Sequence, residues 1–358
     1  MVIPKIYLAN FKYEVQRNLV RLILKLEKAM KAAWFERFGS AVDTLIIGEQ
    51  PKPEVKDGEV LVKLKTTGVN PSDVKKRIGA FPNLLDNGHV IPHSDGAGII
   101  EAVGKGVSES RIGERVWVYQ AQYARFLGTA AQYVAIDASR VATLPDNTSF
   151  EIGACLGIPA MTAHRVVSSD GSVKGQTVVV TGGAGRVGYY AIQWAKLAGA
   201  KVIATASNPT DEASCMAAGA DLVVNHREAN WGDKLQDVND GEKVDRVIDV
   251  EFGFNLPEVL KCIRTGGVIA TYGNTQIKEP KLPFFQMLFM DLTIKMTIVY
   301  AMPETAKQQA IKDIYSALSA DQLKHRVTHV LPFKQMAKSH ELIEQSNLRG
   351  CVVVDIEH

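Results

Sequence analysis

The sequence has few cysteines, and none of them belongs to a recognisable metal motif. Its 358 residues include only four, and no two stand at the Cys-x-x-Cys spacing. This spacing argues against a structural zinc cage and against a disulfide framework, and it fits a reducing compartment. We therefore expect all four to be small, buried apolar side chains: Cys155, Cys215, Cys262 and Cys351.

An excess of charge of one sign is also missing, because 41 lysines and arginines stand against 39 aspartates and glutamates. This balance gives no reason to expect nucleic acid or an anionic membrane as the main partner. A long uninterrupted apolar run is absent too: the longest stretch, 282–300, is broken by Asp291 and Lys295. We therefore expect no membrane span, and we interpret this stretch as a buried helix and strand.

Residues 1–29 differ from the rest of the chain and form an N-terminal extension. From Tyr13 to Ala33 apolar residues repeat at helical spacing, and lysines and arginines occupy the other faces. A basic amphipathic helix is typical of mitochondrial targeting, although Glu14 and Glu27 do not fit that interpretation. A dispensable extension before Met30 and a partner-binding helix are the alternatives. The expected location is the cytoplasm, or the mitochondrion if the extension is a targeting helix.

The expected secondary-structure pattern of the remaining chain changes twice, and the length of the chain suggests about two domains. Residues 30–151 contain short β-like runs separated by glycine, proline, asparagine and aspartate, which indicates a β-rich module. Residues 152–300 alternate strands with helices, which predicts a parallel, doubly wound α/β sheet. Residues 301–358 contain two further helices and two β-like segments.

The most informative motif is Gly-Ala-Gly-Arg-Val-Gly at 183–188, between a β-branched run and an expected helix. In this context G-x-G-x-x-G is typical of a dinucleotide site. We expect Gly183 to form the tight turn and Gly185 to let the backbone approach a pyrophosphate. Gly188 would let helix and strand pack closely. The helix N-terminus would offer unpaired N–H groups and a positive partial charge to the phosphates.

The end of the next strand bears on which dinucleotide binds. A free ribose 2′-hydroxyl usually meets an aspartate or glutamate there, and this strand has no acid at its tip. The candidate donors to a 2′-phosphate are polar or basic: Ser207, Asn208, Thr210, Arg186 and His226. These residues favour NADPH, whereas Asp211 and Glu212 on the expected next helix count against it.

Several motifs occur together in a recognisable order: Gly68–Asp73, His93–Gly98, Gly113–Val116, Gly157–Ala163, the glycine loop, Asn225–Glu228 and Tyr272–Thr275. With them the chain from about Met30 onward resembles the quinone oxidoreductase (zeta-crystallin-like) branch of the medium-chain dehydrogenase/reductase superfamily. The resemblance implies a Rossmann domain, 152–300, inserted into a β-rich, partly open barrel-like (GroES-like) catalytic domain. That catalytic domain would consist of 30–151 and 301–358.

The resemblance also implies roles for single residues and a reaction. Asn70 would lie near the nicotinamide and donate a hydrogen bond to the reacting carbonyl. The other implied cofactor contacts are Thr162, Tyr272, Gly273 and Thr275 around the nicotinamide, and Gly185, Arg186 and Val187 at the pyrophosphate. The implied reaction is hydride transfer from NADPH to a quinone, and the implied assembly is a dimer or a higher even-numbered oligomer.

The sequence departs from this family in ways that bear on the chemistry. Zinc enzymes of the superfamily carry cysteine and histidine where Asn70 and Ser94 stand, and His93 is out of register, so no metal is expected. Lys75 replaces a tyrosine of many relatives, which leaves the acceptor open, and the lysine that many relatives carry near the 2′-phosphate is missing. A reductase of conjugated carbon–carbon bonds and a nucleotide-binding protein without turnover are the alternative functions. The proton could come from solvent, a cofactor ribose hydroxyl or Lys75, and Asp73 and Asp95 are interpreted as structural hydrogen-bonding residues.

Overall fold

The structure is a computed structural model that describes residues 29–86, 88–345 and 348–358. The amphipathic helix predicted for the N-terminal extension therefore lies outside the described residues, except at its end. There the prediction is wrong, because residues 29–34 form the first strand and pair with a second one.

The described part of the chain contains fifteen strands: β1 (Ala29–Trp34), β2 (Ile46–Pro51), β3 (Glu59–Val69), β4 (Asp95–Val103), β5 (Arg115–Val118), β6 (Tyr133–Asp137), β7 (Val141–Thr143), β8 (Thr177–Val180), β9 (Lys201–Ala206), β10 (Leu222–Asn225), β11 (Val244–Val250), β12 (Ile263–Gly273), β13 (Thr293–Met296), β14 (Val327–Pro332) and β15 (Cys351–Asp355).

The same part contains eleven α-helices: α1 (Ala41–Thr44), α2 (Pro71–Arg77), α3 (Phe150–Gly153), α4 (Met161–Ser168), α5 (Arg186–Leu197), α6 (Pro209–Ala217), α7 (Trp231–Val238), α8 (Phe252–Cys262), α9 (Phe284–Phe289), α10 (Glu304–Ser319) and α11 (Met336–Glu344). Short turns of other helix types connect several of them. None of the helices so described is long and apolar enough to cross a membrane.

The strands β8 to β13 form one parallel sheet in the order β10-β9-β8-β11-β12-β13. The order reverses at β8, and the connections run through helices, so the predicted doubly wound sheet is confirmed. The apolar run of β8 forms the centre because its valines at 178–180 are fully buried. A strand that is covered on both faces needs such a continuous run.

A second sheet of seven strands follows the path β14-β15-β3-β4-β5-β7, and β6 also pairs with β3. Strand β15, near the end of the chain, pairs antiparallel with β3 from the first half. The sheet has free ends at β14 and β7, which agrees with the expected partly open β-rich domain. Its core is built from the inward-facing valines and isoleucines of β3, β4, β6 and β15.

The stretch 282–300 forms a helix and a strand, as the sequence predicts, but the prediction that they are buried is wrong for the single chain. The α9 side chains Phe285 and Phe289 are 70% and 81% exposed, and Met296 of β13 is 73% exposed. Strand β13 is also the outermost strand of its sheet, with β12 as its only neighbour in the described residues. An apolar surface therefore surrounds an open sheet edge.

Candidate active site

The glycine loop connects β8 to α5. Its one left-handed residue is Gly182, at φ +58°, so the tight turn falls one residue before the position we expected. Gly183 is required for a different reason: a Cβ there would lie 2.9 Å from the Cβ of Ala204 and 2.8 Å from the Sγ of Cys215. The loop therefore packs directly on β9 and α6.

The first turn of α5 is open toward a ligand. Gly185 is the N-cap residue and provides no side-chain cap, so the first N–H groups of the helix stay available for an anion. Gly188 packs on the loop, because a Cβ there would lie 2.4 Å from the carbonyl oxygen of Gly182. The half-buried Arg186, followed by Val187, begins the helix, and burial lowers the pKa of its guanidinium. Its buried Nη1 has no hydrogen-bond partner in the described structure, so these residues fit a pyrophosphate.

Beyond the carboxyl end of β9 lies a cavity of about 350 Å³. Its lining combines the three polar residues expected from the sequence with one aspartate and three arginines that were not expected there: Ser207, Asn208, Thr210, Asp211, Arg227, Arg326 and Arg349. Three guanidinium groups face a single carboxylate, so the lining carries an excess of positive charge. His226 and Arg186 do not line this cavity, and His226 instead places its Nδ1 3.1 Å from the hydroxyl of Thr205.

Asp211, the acid that counted against NADPH, is buried, and its negative charge is balanced by Arg349. Its Oδ2 accepts hydrogen bonds from Asn208 Nδ2 at 2.9 Å and from Ser207 Oγ at 3.2 Å. It also forms an ion pair of 3.0 Å with Arg349 Nε. Arg326 donates from Nη1 to the carbonyl of Ala184 in the glycine loop at 3.0 Å. This hydrogen bond connects the segment before β14 to the glycine loop.

Asn70 precedes α2 and is only 3% exposed. Its Nδ2 donates to Asp95 Oδ2 at 2.9 Å, and its backbone N–H donates to Asp73 Oδ2 at 2.8 Å. Asp95 Oδ2 also accepts from the backbone N–H of Ile158 at 2.8 Å. The amide of Asn70 is therefore held in one orientation by a buried carboxyl group, with one N–H directed at Asp95 and a second N–H left for another acceptor.

The two carboxyl groups around Asn70 are both buried, and burial raises the pKa of Asp95 to about 8 and that of Asp73 to about 6. Asp95 therefore keeps its proton to a much higher pH than an exposed aspartate does. The neighbouring Lys76 is buried as well, which lowers the pKa of its ammonium, and its Nζ donates to the carbonyl of Gln122 at 2.9 Å. Lys75, the candidate proton source, is exposed.

Asp95→Asn is expected to reduce the loss of stability that the wild type shows as the pH rises. The pKa of Asp95 is about 8 in the folded protein, whereas an ordinary aspartate has a pKa of 3.8. Between pH 3.8 and about pH 8, Asp95 therefore keeps its proton in the folded state and has lost it in the unfolded state. This carboxyl therefore lowers the unfolding free energy across that window, by up to ~1.4 kcal/mol per pH unit, and asparagine does not titrate.

The measurement is urea unfolding of both proteins at several pH values between about 4 and 8. Asp73 and Lys76 are present in both proteins, so their titration largely cancels in the difference. Stability curves that run parallel across this window would contradict the raised pKa of Asp95.

The four residues expected around the nicotinamide lie on one strand, one helix and one loop. Tyr272 and Gly273 end β12 and are half-buried, so they stand at the carboxyl edge of the parallel sheet, where doubly wound folds bind their ligands. Thr162 is buried in α4, a helix that packs against β12. Thr275 lies beyond the strand, is exposed, and donates its backbone N–H to Glu251.

His93, the histidine next to the zinc-ligand position, is fully buried in a hydrogen-bonded chain. Its Nε2 lies 2.9 Å from Nε2 of His340, and its Nδ1 lies 2.9 Å from the hydroxyl of Thr67. Arg77 Nε donates to Nδ1 of His340 at 3.4 Å, so His340 carries its proton on Nε2 and donates to His93. Burial lowers the pKa of His93 to about 3, so both rings stay neutral.

Across the described ranges, no group of three or more histidine, cysteine, aspartate or glutamate side chains has the arrangement of a metal site. All four cysteines are buried free thiols, as expected from the sequence.

Comparison with known proteins agrees with this architecture. The family model of the alcohol dehydrogenase GroES-like domain matches residues 56–146, and that of the zinc-binding dehydrogenase matches residues 187–316. The quinone oxidoreductase of Homo sapiens is 30% identical to this chain over 92% of it and 98% of the relative.

Two solved structures share the fold over almost their whole length. A mycobacterial protein in complex with NADPH superimposes with a TM-score of 0.80 at 26% identity, covering 91% of this chain and 100% of that one. An NAD-dependent alcohol dehydrogenase superimposes with a TM-score of 0.81 at 28% identity, covering 91% of this chain and 99% of that one.

The doubly wound sheet, the glycine loop at its switch point and the partly open β-rich domain define a nicotinamide-dependent oxidoreductase. The matches to the family models and to the human relative take this one step further. The chain belongs to the quinone oxidoreductase branch of the medium-chain dehydrogenase/reductase superfamily.

Proposed function

We propose that this protein transfers hydride from NADPH to a quinone. The main observation in favour of NADPH is the arginine-rich cavity beyond β9. Three arginines line it together with one carboxylate, that of Asp211: Arg227, Arg326 and Arg349. A 2′-phosphate brings negative charge to this place, and planar guanidinium groups are well suited to bind it. The branch of the superfamily to which the chain belongs supports a quinone as the acceptor.

NADPH supplies the hydride, and the protein binds, orients and stabilises charge. Reduction puts negative charge on the acceptor oxygen, and the second N–H of the Asn70 amide donates to it. Asp95, which itself accepts from the backbone N–H of Ile158, holds this amide in place before the acceptor arrives, so little reorganisation is needed at the moment of reaction. The glycine loop and the uncapped N-terminus of α5 hold the pyrophosphate.

We also propose that cofactor binding and catalysis belong to two different domains. Residues 152–300 form the cofactor domain, and residues 30–151 with 301–358 form the catalytic domain, with the acceptor between them. We propose that the protein is located in the cytoplasm, or in the mitochondrion if the N-terminal extension is a targeting helix. Two copies would associate through the exposed apolar surface at β13.

The decisive assay follows NADPH oxidation with a panel of quinones and, separately, a panel of enones and enals. Turnover of quinones supports the proposal. Turnover of the enones alone assigns the protein to the reduction of conjugated carbon–carbon bonds. Tight NADPH binding without turnover of either panel would leave a nucleotide-binding protein without this activity.

Arg227→Ala is expected to weaken NADPH binding roughly 10-fold and to leave NADH binding unchanged, since a charge-assisted contact to phosphate contributes roughly 1.5–3 kcal/mol and exposure reduces it. Arg227 is the most exposed of the three arginines, so its replacement disturbs the fold least. Both cofactors are titrated by nicotinamide fluorescence with wild type and variant. Equal losses for NADPH and NADH, or a wild type that prefers NADH, would refute the assignment of this cavity.

A further inference from the structure

Tyr300 lies in the short turn Val299–Ala301 after β13. Its hydroxyl reaches α2 and the residue before β4. The hydroxyl lies 3.1 Å from Ser72 Oγ and 3.3 Å from Ser94 Oγ. Ser72 is two residues after Asn70, and Ser94 directly precedes Asp95, the carboxyl group that orients the Asn70 amide. The nucleotide-binding half of the chain therefore places a phenol beside the candidate acceptor site.

The ring of Tyr300 is held more firmly than its hydroxyl. The ring stacks on Tyr123 with 4.9 Å between centroids, and the ammonium of Lys76 lies 5.2 Å from its centroid. The two hydroxyl contacts are longer than the usual 2.7–2.8 Å or so of an O–H···O hydrogen bond. A better acceptor could thus accept the hydrogen bond of this hydroxyl without movement of the ring.

The surroundings keep this hydroxyl a donor. Burial raises the pKa of Tyr300, and the nearby carboxyl of Asp73 raises it further, so the phenol keeps its proton over the physiological range. Tyr300 is partly buried, whereas Tyr123 is 41% exposed, so the stacked pair presents an aromatic surface to solvent.

We propose that the Tyr300 hydroxyl is a second hydrogen-bond donor to the acceptor oxygen, beside the amide of Asn70. This inference rests on the proposed function, because it assigns a residue to the same acceptor site. The hydride delivers two electrons to the quinone, and the oxygen that becomes negative accepts both hydrogen bonds. The resulting monoanion takes its proton from solvent, so Tyr300 keeps its own proton and is unchanged after turnover.

Tyr300→Phe is the direct test, because phenylalanine keeps the ring and removes only the hydroxyl. The matched control is Tyr123→Phe, which removes a hydroxyl from the other ring of the same stacked pair. We expect kcat/KM with a quinone to fall about 100-fold in Tyr300→Phe, the size seen for one lost donor to a developing oxyanion. The control is expected to stay within about threefold of wild type. NADPH affinity and the midpoint of thermal unfolding are expected to stay the same in both variants.

A second measurement does not depend on turnover. 4-Nitrophenolate is an aromatic anion whose absorption band shifts to shorter wavelength when its oxygen accepts hydrogen bonds. Bound to the protein with NADP⁺, its band is expected at the same wavelength in wild type and in Tyr123→Phe. In Tyr300→Phe the band of the bound anion is expected to lie at longer wavelength than in wild type, and the dissociation constant is expected to rise about tenfold, as for the loss of one hydrogen bond to a charged group.

The two readouts separate failure of this inference from failure of the proposed function. Normal quinone turnover by Tyr300→Phe, or an unchanged spectrum of bound 4-nitrophenolate, would overturn the role of Tyr300 while quinone reduction stands. A wild type that reduces no quinone but binds 4-nitrophenolate with a Tyr300-dependent shift would remove the proposed function and retain Tyr300 as the donor.

Discussion

Asn70→Ala is expected to lower kcat with a quinone about 100–1,000-fold, while the affinity for NADPH barely changes. One preorganised donor to a developing oxyanion is worth roughly 3–4 kcal/mol, and the hydrogen bond to Asp95 fixes the Asn70 amide in one orientation. It is buried, and its orientation is set by Asp95, which is itself bound by the backbone of Ile158. The side chain thus does more than begin a helix before Pro71.

Because Asn70→Ala also removes a buried hydrogen bond, a control for that loss is needed. Asn239→Ala provides one, since Asn239 is equally buried, 3% exposed, and its Nδ2 donates to the carbonyl of Glu242 at 2.8 Å. Both variants are compared by kcat, by NADPH titration and by thermal unfolding. A kcat for Asn70→Ala within about threefold of wild type, less than roughly 0.7 kcal/mol, would show that Asn70 is not the electrophilic donor.

The fold was predictable because its signals are local in sequence. The β-branched run at 177–180 predicts a strand buried on both faces, and the alternation of strands and helices after it predicts the parallel sheet. The glycine spacing marks the turn between β8 and α5, although the left-handed residue is Gly182 and not Gly183. A one-residue error of this kind arises because either glycine could adopt that conformation, and only the packing against β9 distinguishes them.

The candidate phosphate cavity was predictable only in part. Ser207, Asn208 and Thr210 follow β9 directly, so the topology of the sheet already places them at its edge. Arg326 and Arg349 precede β14 and β15, which belong to the other sheet. They reach the cavity only because the last part of the chain returns beside the glycine loop, and no short-range pattern shows this. The ion pair between Asp211 and Arg349 could not be predicted from the sequence for the same reason.

The burial of 282–300 was misjudged for a different physical reason. Apolar composition indicates that a surface avoids water, but it does not say whether the same chain or another one covers it. Here α9 and β13 form as predicted, yet their phenylalanine and methionine side chains face outward. Within the part of the chain that the structure describes, the outer strand also leaves backbone groups without a neighbouring strand, and open apolar edges invite association.

We therefore expect the protein to be a dimer or a higher even-numbered oligomer at micromolar concentration, with β13 of two copies side by side across a two-fold axis. The exposed apolar side chains on this surface are Phe284, Phe285, Leu288, Phe289, Met296 and Ile298. Burying one phenylalanine contributes roughly 1.5–3 kcal/mol, and a two-fold axis buries each position twice.

Phe285→Glu combined with Phe289→Glu is accordingly expected to raise the dissociation constant of the dimer at least about 1,000-fold, because each 1.4 kcal/mol or so is a factor of ten. The variant should also place like charges against each other across the axis, which adds to the loss. The control is Phe81→Glu, which changes a phenylalanine that is 53% exposed in the other domain. Light scattering should give the monomer mass for the double variant and an even multiple of it for the wild type and the control. A wild type of monomer mass at micromolar concentration would show that this apolar edge is not an interface between copies of the chain.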